Sequence, residues 1–312
     1  VLEAGLGGDH RVWDSIAPDL GRTTRTCSYD RSPLAFSNNG SKRATAQQKV
    51  DDLHDLLEAA DVERPFVLIG HSFGGMLVRL YAAEHRDDVA GLVLLDSSSP
   101  DQGRRYRAAV PPRRPDERPE LTELRAQLQD TRNPEGADLE KSADQVGGSS
   151  IAELSLIVLT AGVDESPVGS PLRARFERIW LSLQSELARL SPNAIHVIAM
   201  NSGHFVMALA GQPDLVVRAI REVVAAARDD RNLGKCEIVF PSQDRKYPPG
   251  PPAWTTAVRI QATTGVSLVG DGLHKLRATK QRRGALLLCL RLRARHCSHA
   301  SSRAEGRKRS LL

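Results

Sequence analysis

Aromatic side chains are scarce in this chain: Phe, Trp and Tyr together make up 4% of its 312 residues. Hydrophobic residues make up 40%, so a sizeable core is expected, built mainly from Leu, Val, Ile and Ala. Cysteine is equally sparse. Only Cys27 precedes the last third of the chain, and Cys236, Cys289 and Cys297 follow no even framework, which argues against structural disulfides. The longest late apolar run, residues 285–290, is too short to span a bilayer. There is no C-x-x-C, no H-E-x-x-H and no EF-hand loop, so no metal is expected. His296, Cys297 and His299 form a chance cluster that would hold metal only adventitiously. Gly5, Gly7 and Gly8 do not complete G-x-G-x-x-G, and no G-K-[ST] follows, which excludes a standard phosphate loop. No internal repeat is present, and no signal-peptide pattern opens the sequence, though a start at Val1 cannot testify to one. The chain opens on Val1 in the middle of a strand pattern and reads as a fragment.

Charge is unevenly spread. Residues 229–312 hold 17 Lys/Arg against 6 Asp/Glu, a net of +11, whereas residues 1–228 carry a net of −6. Past residue 228 hydrophobic periodicity stops, and Pro248-Pro249-Gly250-Pro251-Pro252 breaks any helix. This tail is expected to be disordered. Its arginines, among them Arg282, Arg283, Arg291, Arg293 and Arg295, have electrostatic reach toward nucleic acid. No aromatic platform accompanies them, so nucleic acid is not the expected partner. The abrupt change of composition reads more simply as translation in a shifted frame or past a missed stop.

The first 228 residues are organised around residues 66–84. Phe66 to Ile69 is a short apolar run suited to a buried strand. Gly70-His71-Ser72-Phe73-Gly74 fits G-x-S-x-G, and from Gly75 onward apolar residues recur at helical spacing. Strand, tight turn and helix in that order distinguish a nucleophile elbow from a chance match. The turn strains Ser72, the glycines let strand and helix approach, and the free N–H groups at the start of the helix can stabilise an oxyanion.

Elsewhere strands and helices alternate, which predicts a parallel sheet covered by helices. Strands are expected at the N-terminus, at residues 26–31, 89–96, 155–160 and 194–200. Helices are expected at about 45–60, 172–190 and 213–227, the first with Val50, Leu53, Leu56 and Leu57 on one face and His54 off it. Residues 97–150 are rich in Pro, Arg, Asp and Gln, with one weak helical stretch at 120–129, and suit a cap or a surface loop equally.

The elbow in its strand–turn–helix context resembles the α/β-hydrolase superfamily, in particular its esterase-like serine hydrolase branch. The likeness runs from Val1 to about Ala227. It implies an α/β-hydrolase fold: a mostly parallel sheet with helices on both faces, a small cap insertion at about 97–150, and a catalytic domain over residues 1–228 followed by the basic tail. Two strands that precede Val1 in the family are missing here, which would expose one edge of the sheet. Thr26-Cys27-Ser28-Tyr29-Asp30-Arg31 resembles the family's next strand with its terminal Tyr-Asp-Arg. Asp30 and Arg31 read as structural, while His10 and Trp13 could line the substrate entrance or brace the loop.

The chemistry that this resemblance implies is cleavage of a carboxylic ester, or a related acyl bond, through an acyl-enzyme. It needs a nucleophile, a base oriented by a carboxylate, and oxyanion donors. Ser72 is the nucleophile. His204 is the base, since it follows a strand, succeeds Gly203 and leads into a helix, whereas His71 points away by motif geometry and His196 lies within a strand. Asp164, beyond the strand after the insertion, is preferred as the acid, with Asp96 at the end of the strand before it as the alternative. The backbone N–H groups of Leu6 and Phe73 are the expected oxyanion donors. No cofactor is required, the expected partner is a small-molecule ester, and the expected location is cytoplasmic. An inactive or ligand-binding protein of this fold, or a cofactor-free perhydrolase using the same triad, are the alternatives.

Overall fold

The computed structural model describes residues 1–37, 44–129, 131–151, 153–163, 170–240 and 287–290. Its sheet is built from β1 (Leu2–Glu3), β2 (Thr26–Tyr29), β3 (Phe66–His71), β4 (Val89–Leu95), β5 (Ser155–Ala161), β6 (Ala194–Ala199) and β7 (Leu287–Leu290). The strand order is β6-β5-β4-β3-β1-β2-β7. All neighbouring pairs are parallel except β2 with β7, which is antiparallel. The edge expected to lie bare beside β2 is therefore paired. The apolar run Leu287-Leu288-Cys289-Leu290 lies opposite residues 26–29 and supplies the ladder. Cys27 is disulfide-bonded, contrary to the expectation from cysteine spacing.

Both faces of the sheet are covered. Along β4 and β5, Leu92, Leu94, Leu156 and Val158 point to one core, and Val93, Leu95, Ile157 and Leu159 to the other. That alternation, apolar on both sides, is the mark of a buried parallel sheet. On the first face lie α2 (Ala46–Ala59) and α3 (Phe73–Glu84), joined by α6 (Leu139–Gly147) through Val146. On the second lie α1 (Ala17–Gly21) and α8 (Pro213–Arg228). Helix α2 starts where Thr45 and Gln48 form a reciprocal capping box. Packing continues beyond the expected boundary at 228: α9 (Cys236–Val239) follows, and Phe240 is buried against the second core. The remaining tail residues, including the arginines and the His296, Cys297 and His299 cluster, lie outside the described residues.

The insertion carries more helix than its composition suggests. Besides α5 (Pro119–Gln129) and α6, it contains α4 (Gln102–Ala109). A small separate core joins α4 and α5 to α7 (Ser170–Ala188) through Ala109, Leu124 and Phe176, with Tyr106 stacked on Phe176 at 4.6 Å. No described helix is long and apolar enough to cross a membrane.

The turn between β3 and α3 is the tightest place in the fold. A methyl carbon built on Gly70 would lie 2.6 Å from the Gly74 carbonyl oxygen. One on Gly74 would collide with the carbonyl oxygens of Glu3 and Ala4, and one on Gly75 with Ser97 Oγ. These contacts are with backbone or buried groups that cannot yield cheaply. Gly74→Ala is expected to cost about 1–3 kcal/mol and to lower Tm by roughly 3–10 °C for a domain of this size, read by circular dichroism. An unchanged Tm would mean that β1 and α3 are not in this close contact.

Candidate active site

Ser72 caps α3 at φ +51° and ψ −121°, a left-handed conformation that is costly for a side chain with a Cβ. Its N–H donates to Leu95 O at 3.1 Å and its carbonyl accepts from Gly75 N and Ser98 N. The strained turn is thus held from the end of β4 and from the first turn of the helix. The Gly5-to-Gly8 turn lies alongside: it is closed by Gly8 N–H to Gly5 O at 3.0 Å, and Gly7 takes the positive φ of 73°. A methyl carbon on Gly5 would sit 3.1 Å from Ser72 Cβ and 2.9 Å from His71 Nδ1. The backbone N–H groups of Leu6 and Phe73 have no intramolecular acceptor among the described residues.

His204 lies in the loop between β6 and α8. That loop is pinned by Ser202, whose carbonyl accepts from Gly162 N and Val163 N and whose N–H donates to Ala199 O. His204 Nδ1 is 2.7 Å from Asp96 Oδ2. Asp96, the carboxylate placed second by sequence, follows β4 and is buried, at φ +41°. Its Oδ1 accepts from Ala161 N and from Trp180 Nε1, both at 2.9 Å. Asp164, placed first, lies outside the described residues.

His71 is packed against His204. Its Nε2–H donates to His204 O at 3.0 Å and its ring packs 4.6 Å from the His204 ring. Burial, with His204 beside it, pushes its pKa down to about 3, so it stays neutral at physiological pH. His196 is hydrogen-bonded to Thr160 Oγ1 within the sheet at 2.8 Å. Trp13 is fully buried in the second core, so it cannot line an entrance. His10 instead braces the loop, with its backbone N–H and Nδ1 both on Asp30 Oδ1.

A cavity of about 360 Å³ opens beside the His204–Asp96 pair, walled by Tyr106, Phe176, Trp180 and Met200. It reaches the pair from the α4 and α7 side, and Ser72 is not among its lining residues.

Two groups bring three ligand-type side chains together among the described residues: His54, His85 and Asp88, and Asp9, His10 and Asp30. In each, an arginine already pairs with a carboxylate: Arg64 Nε with Asp88 at 2.8 Å, and Arg11 with Asp9. The imidazoles of His54 and His85 stack nearly parallel at 4.0 Å, so their lone pairs do not converge.

Trp180 and Gln184 were not legible as site residues, because nothing in the sequence of the helix at 172–190 marks them out. Trp180 bonds Asp96, and Gln184 Nε2 donates to Ser97 O at 2.7 Å. Trp180→Phe keeps the ring but removes a donor to a charged acceptor. It is expected to slow reaction with a serine-directed fluorophosphonate by on the order of tenfold. A parental rate would show that this bond does not orient Asp96.

The family profile described as alpha/beta hydrolase fold matches residues 1–132. Over 229 residues the chain is 28% identical to the uncharacterized protein YqjL of Bacillus subtilis, which spans 73% of this chain and 83% of that protein. Among solved structures it is similar to a thermophilic esterase from Thermogutta terrifontis, with a TM-score of 0.50, 22% identity, and 72% of this chain and 89% of that one covered. A hydrolase from Pseudomonas aeruginosa gives a TM-score of 0.50 and 20% identity, with the same two coverages. At these identities the two structures share the fold alone.

Proposed function

The chain belongs to the α/β-hydrolase superfamily, and from that premise we propose that it is a serine hydrolase cleaving a carboxylic ester of a small molecule through an acyl-enzyme. Ser72 Oγ attacks the carbonyl carbon. His204 takes the Ser72 proton and passes it to the departing alcohol; with Nδ1 committed to Asp96, Nε2 is the nitrogen that does so. Asp96 fixes that tautomer and stabilises the imidazolium, and the Ala161 and Trp180 donors hold its other oxygen. The Leu6 and Phe73 N–H groups receive the oxyanion of the tetrahedral intermediate. Water, activated by His204, then releases the acid. In this reading residues 97–150 act as the cap over the catalytic unit. Exposed Val163, Met200 and Phe205 give the His204 side an apolar rim, which favours an apolar acyl or alcohol group.

The observation that carries this assignment is the His204–Asp96 contact, made by residues 108 positions apart, one beyond β4 and the other beyond β6. It supports Asp96 as the acid, the carboxylate that the sequence placed second. The first test is labelling with a fluorescent fluorophosphonate: the parent is expected to react and Ser72→Ala to stay dark, whereas equal labelling or none in the parent would contradict a serine nucleophile. The second compares turnover of p-nitrophenyl esters by Asp96→Asn and Asp164→Asn. Asp96→Asn is expected to lose on the order of 10³–10⁴-fold in kcat and Asp164→Asn little. The opposite ranking would make Asp164 the acid.

A further inference from the structure

A buried ionic cluster lies beneath the Gly5-to-Gly8 turn, and one of its four charged members, Glu135, comes from the insertion. Arg31, Glu3, Lys49 and Glu135 are all almost inaccessible to solvent. Every N–H of the Arg31 guanidinium is used. Nε and one Nη2 hydrogen go to Glu135, at 2.9 and 2.5 Å. The other Nη2 hydrogen goes to Gly5 O at 2.5 Å, and Nη1 serves Ala4 O at 2.5 Å and the Glu3 carboxylate. Glu135 is as fully engaged: besides Arg31 it accepts from Lys49 Nζ at 2.7 Å and from Gly7 N–H at 2.7 Å. Four donors fill the acceptor sites of one carboxylate. Two cations face two carboxylates, and Tyr29 donates to the remaining Glu3 oxygen.

The carbonyls of Ala4 and Gly5 and the N–H of Gly7 are the backbone groups on either side of Leu6. The cluster therefore grips the turn at both ends of the one residue whose N–H is left for a ligand. The segment that supplies Glu135 is itself preformed. Asn133 Oδ1 accepts from Glu135 N and Ala137 N, Gly136 takes a positive φ of 59°, and the Pro134 ring covers Gly7. Burial opposes charge on Glu135, but Arg31 and Lys49 outweigh it and hold its carboxyl down at about 2. The carboxylate is thus ionised whenever the chain is folded at ordinary pH.

We propose that Glu135 and Arg31 are positioning residues for the oxyanion hole, with the insertion clamping the turn so that the Leu6 N–H is aimed at the intermediate beside Ser72. This builds on the hydrolase reading above. A lysine at 31 could not reproduce the fork that holds two carbonyls and two carboxylates at once. The insertion would then be a part of the catalytic apparatus and not only its cover.

The test compares Glu135→Gln with Ser142→Ala. Ser142 is buried and ties the insertion to the start of α2, accepting from Ala46 N at 2.9 Å, without touching the turn. Both variants are expected to lose thermal stability. Glu135→Gln alone is expected to lose roughly 10–100-fold in kcat on p-nitrophenyl esters with KM nearly unchanged, to bind an arylboronic acid correspondingly more weakly, and to speed amide hydrogen exchange in the 4–8 segment. Should Glu135→Gln fail to fold, Glu135→Gln with Lys49→Met restores charge balance and is measured in its place. Parental kcat and parental exchange at 4–8 in the variant would overturn the proposal. If the parent itself does not react with the fluorophosphonate, the hydrolase reading fails by that result; exchange then judges the clamp separately, and unchanged exchange would overturn it as well.

Discussion

The absence of side chains at Gly70, Gly74 and Gly75 is the constraint on which the rest of the site depends. Where β3 turns into α3 there is no room for a methyl group at any of the three. Gly74 lets the carbonyls of Glu3 and Ala4 rest on the helix start, which fixes the end of β1 and the turn after it. Gly75 admits Ser97, the residue after Asp96, and so brings the end of β4 to the same point. Three segments from distant parts of the chain thereby converge on the first turn of one helix. The strain at Ser72 is sustained because each neighbour over-determines its position.

Around that point polar groups are placed under opposite electrostatic demands. Asp96 is buried yet meets three donors, which leaves its charge directed at His204. His71 is held neutral, so no second cation competes beside the imidazole. Below the turn, the Arg31 cluster takes four charges out of water. Desolvation makes such a cluster a weak source of stability even when every bond is formed. Its value lies in geometry: removing one member strands the others, so the arrangement is held as a unit.

Much of this was legible before the structure. The elbow was, because its strand, glycines and helix make one local pattern. So was the place of His204 between a strand end and a helix. The choice between Asp96 and Asp164 was not, because in the sequence both follow the ends of expected strands. Glu135 was illegible for a different reason. It lies in a segment whose Pro, Arg and Asp content hides two short helices, α4 and α6, and its partners are 86 to 128 residues away. Arg31 looked like a local ion-pair or cap residue, yet its carboxylate partners lie at positions 3 and 135. The paired edge at β2 and the burial of Phe240 were masked by a basic composition that says nothing of where a few apolar residues dock.

The most direct measurement is pre-steady-state release of p-nitrophenolate from a p-nitrophenyl ester, followed by acid quench and mass mapping of the protein. The account predicts a burst close to one equivalent of active sites, with the acyl group on the peptide that contains Ser72. Linear release with no burst and no adduct, or an adduct on another residue, would contradict an acyl-enzyme at this elbow.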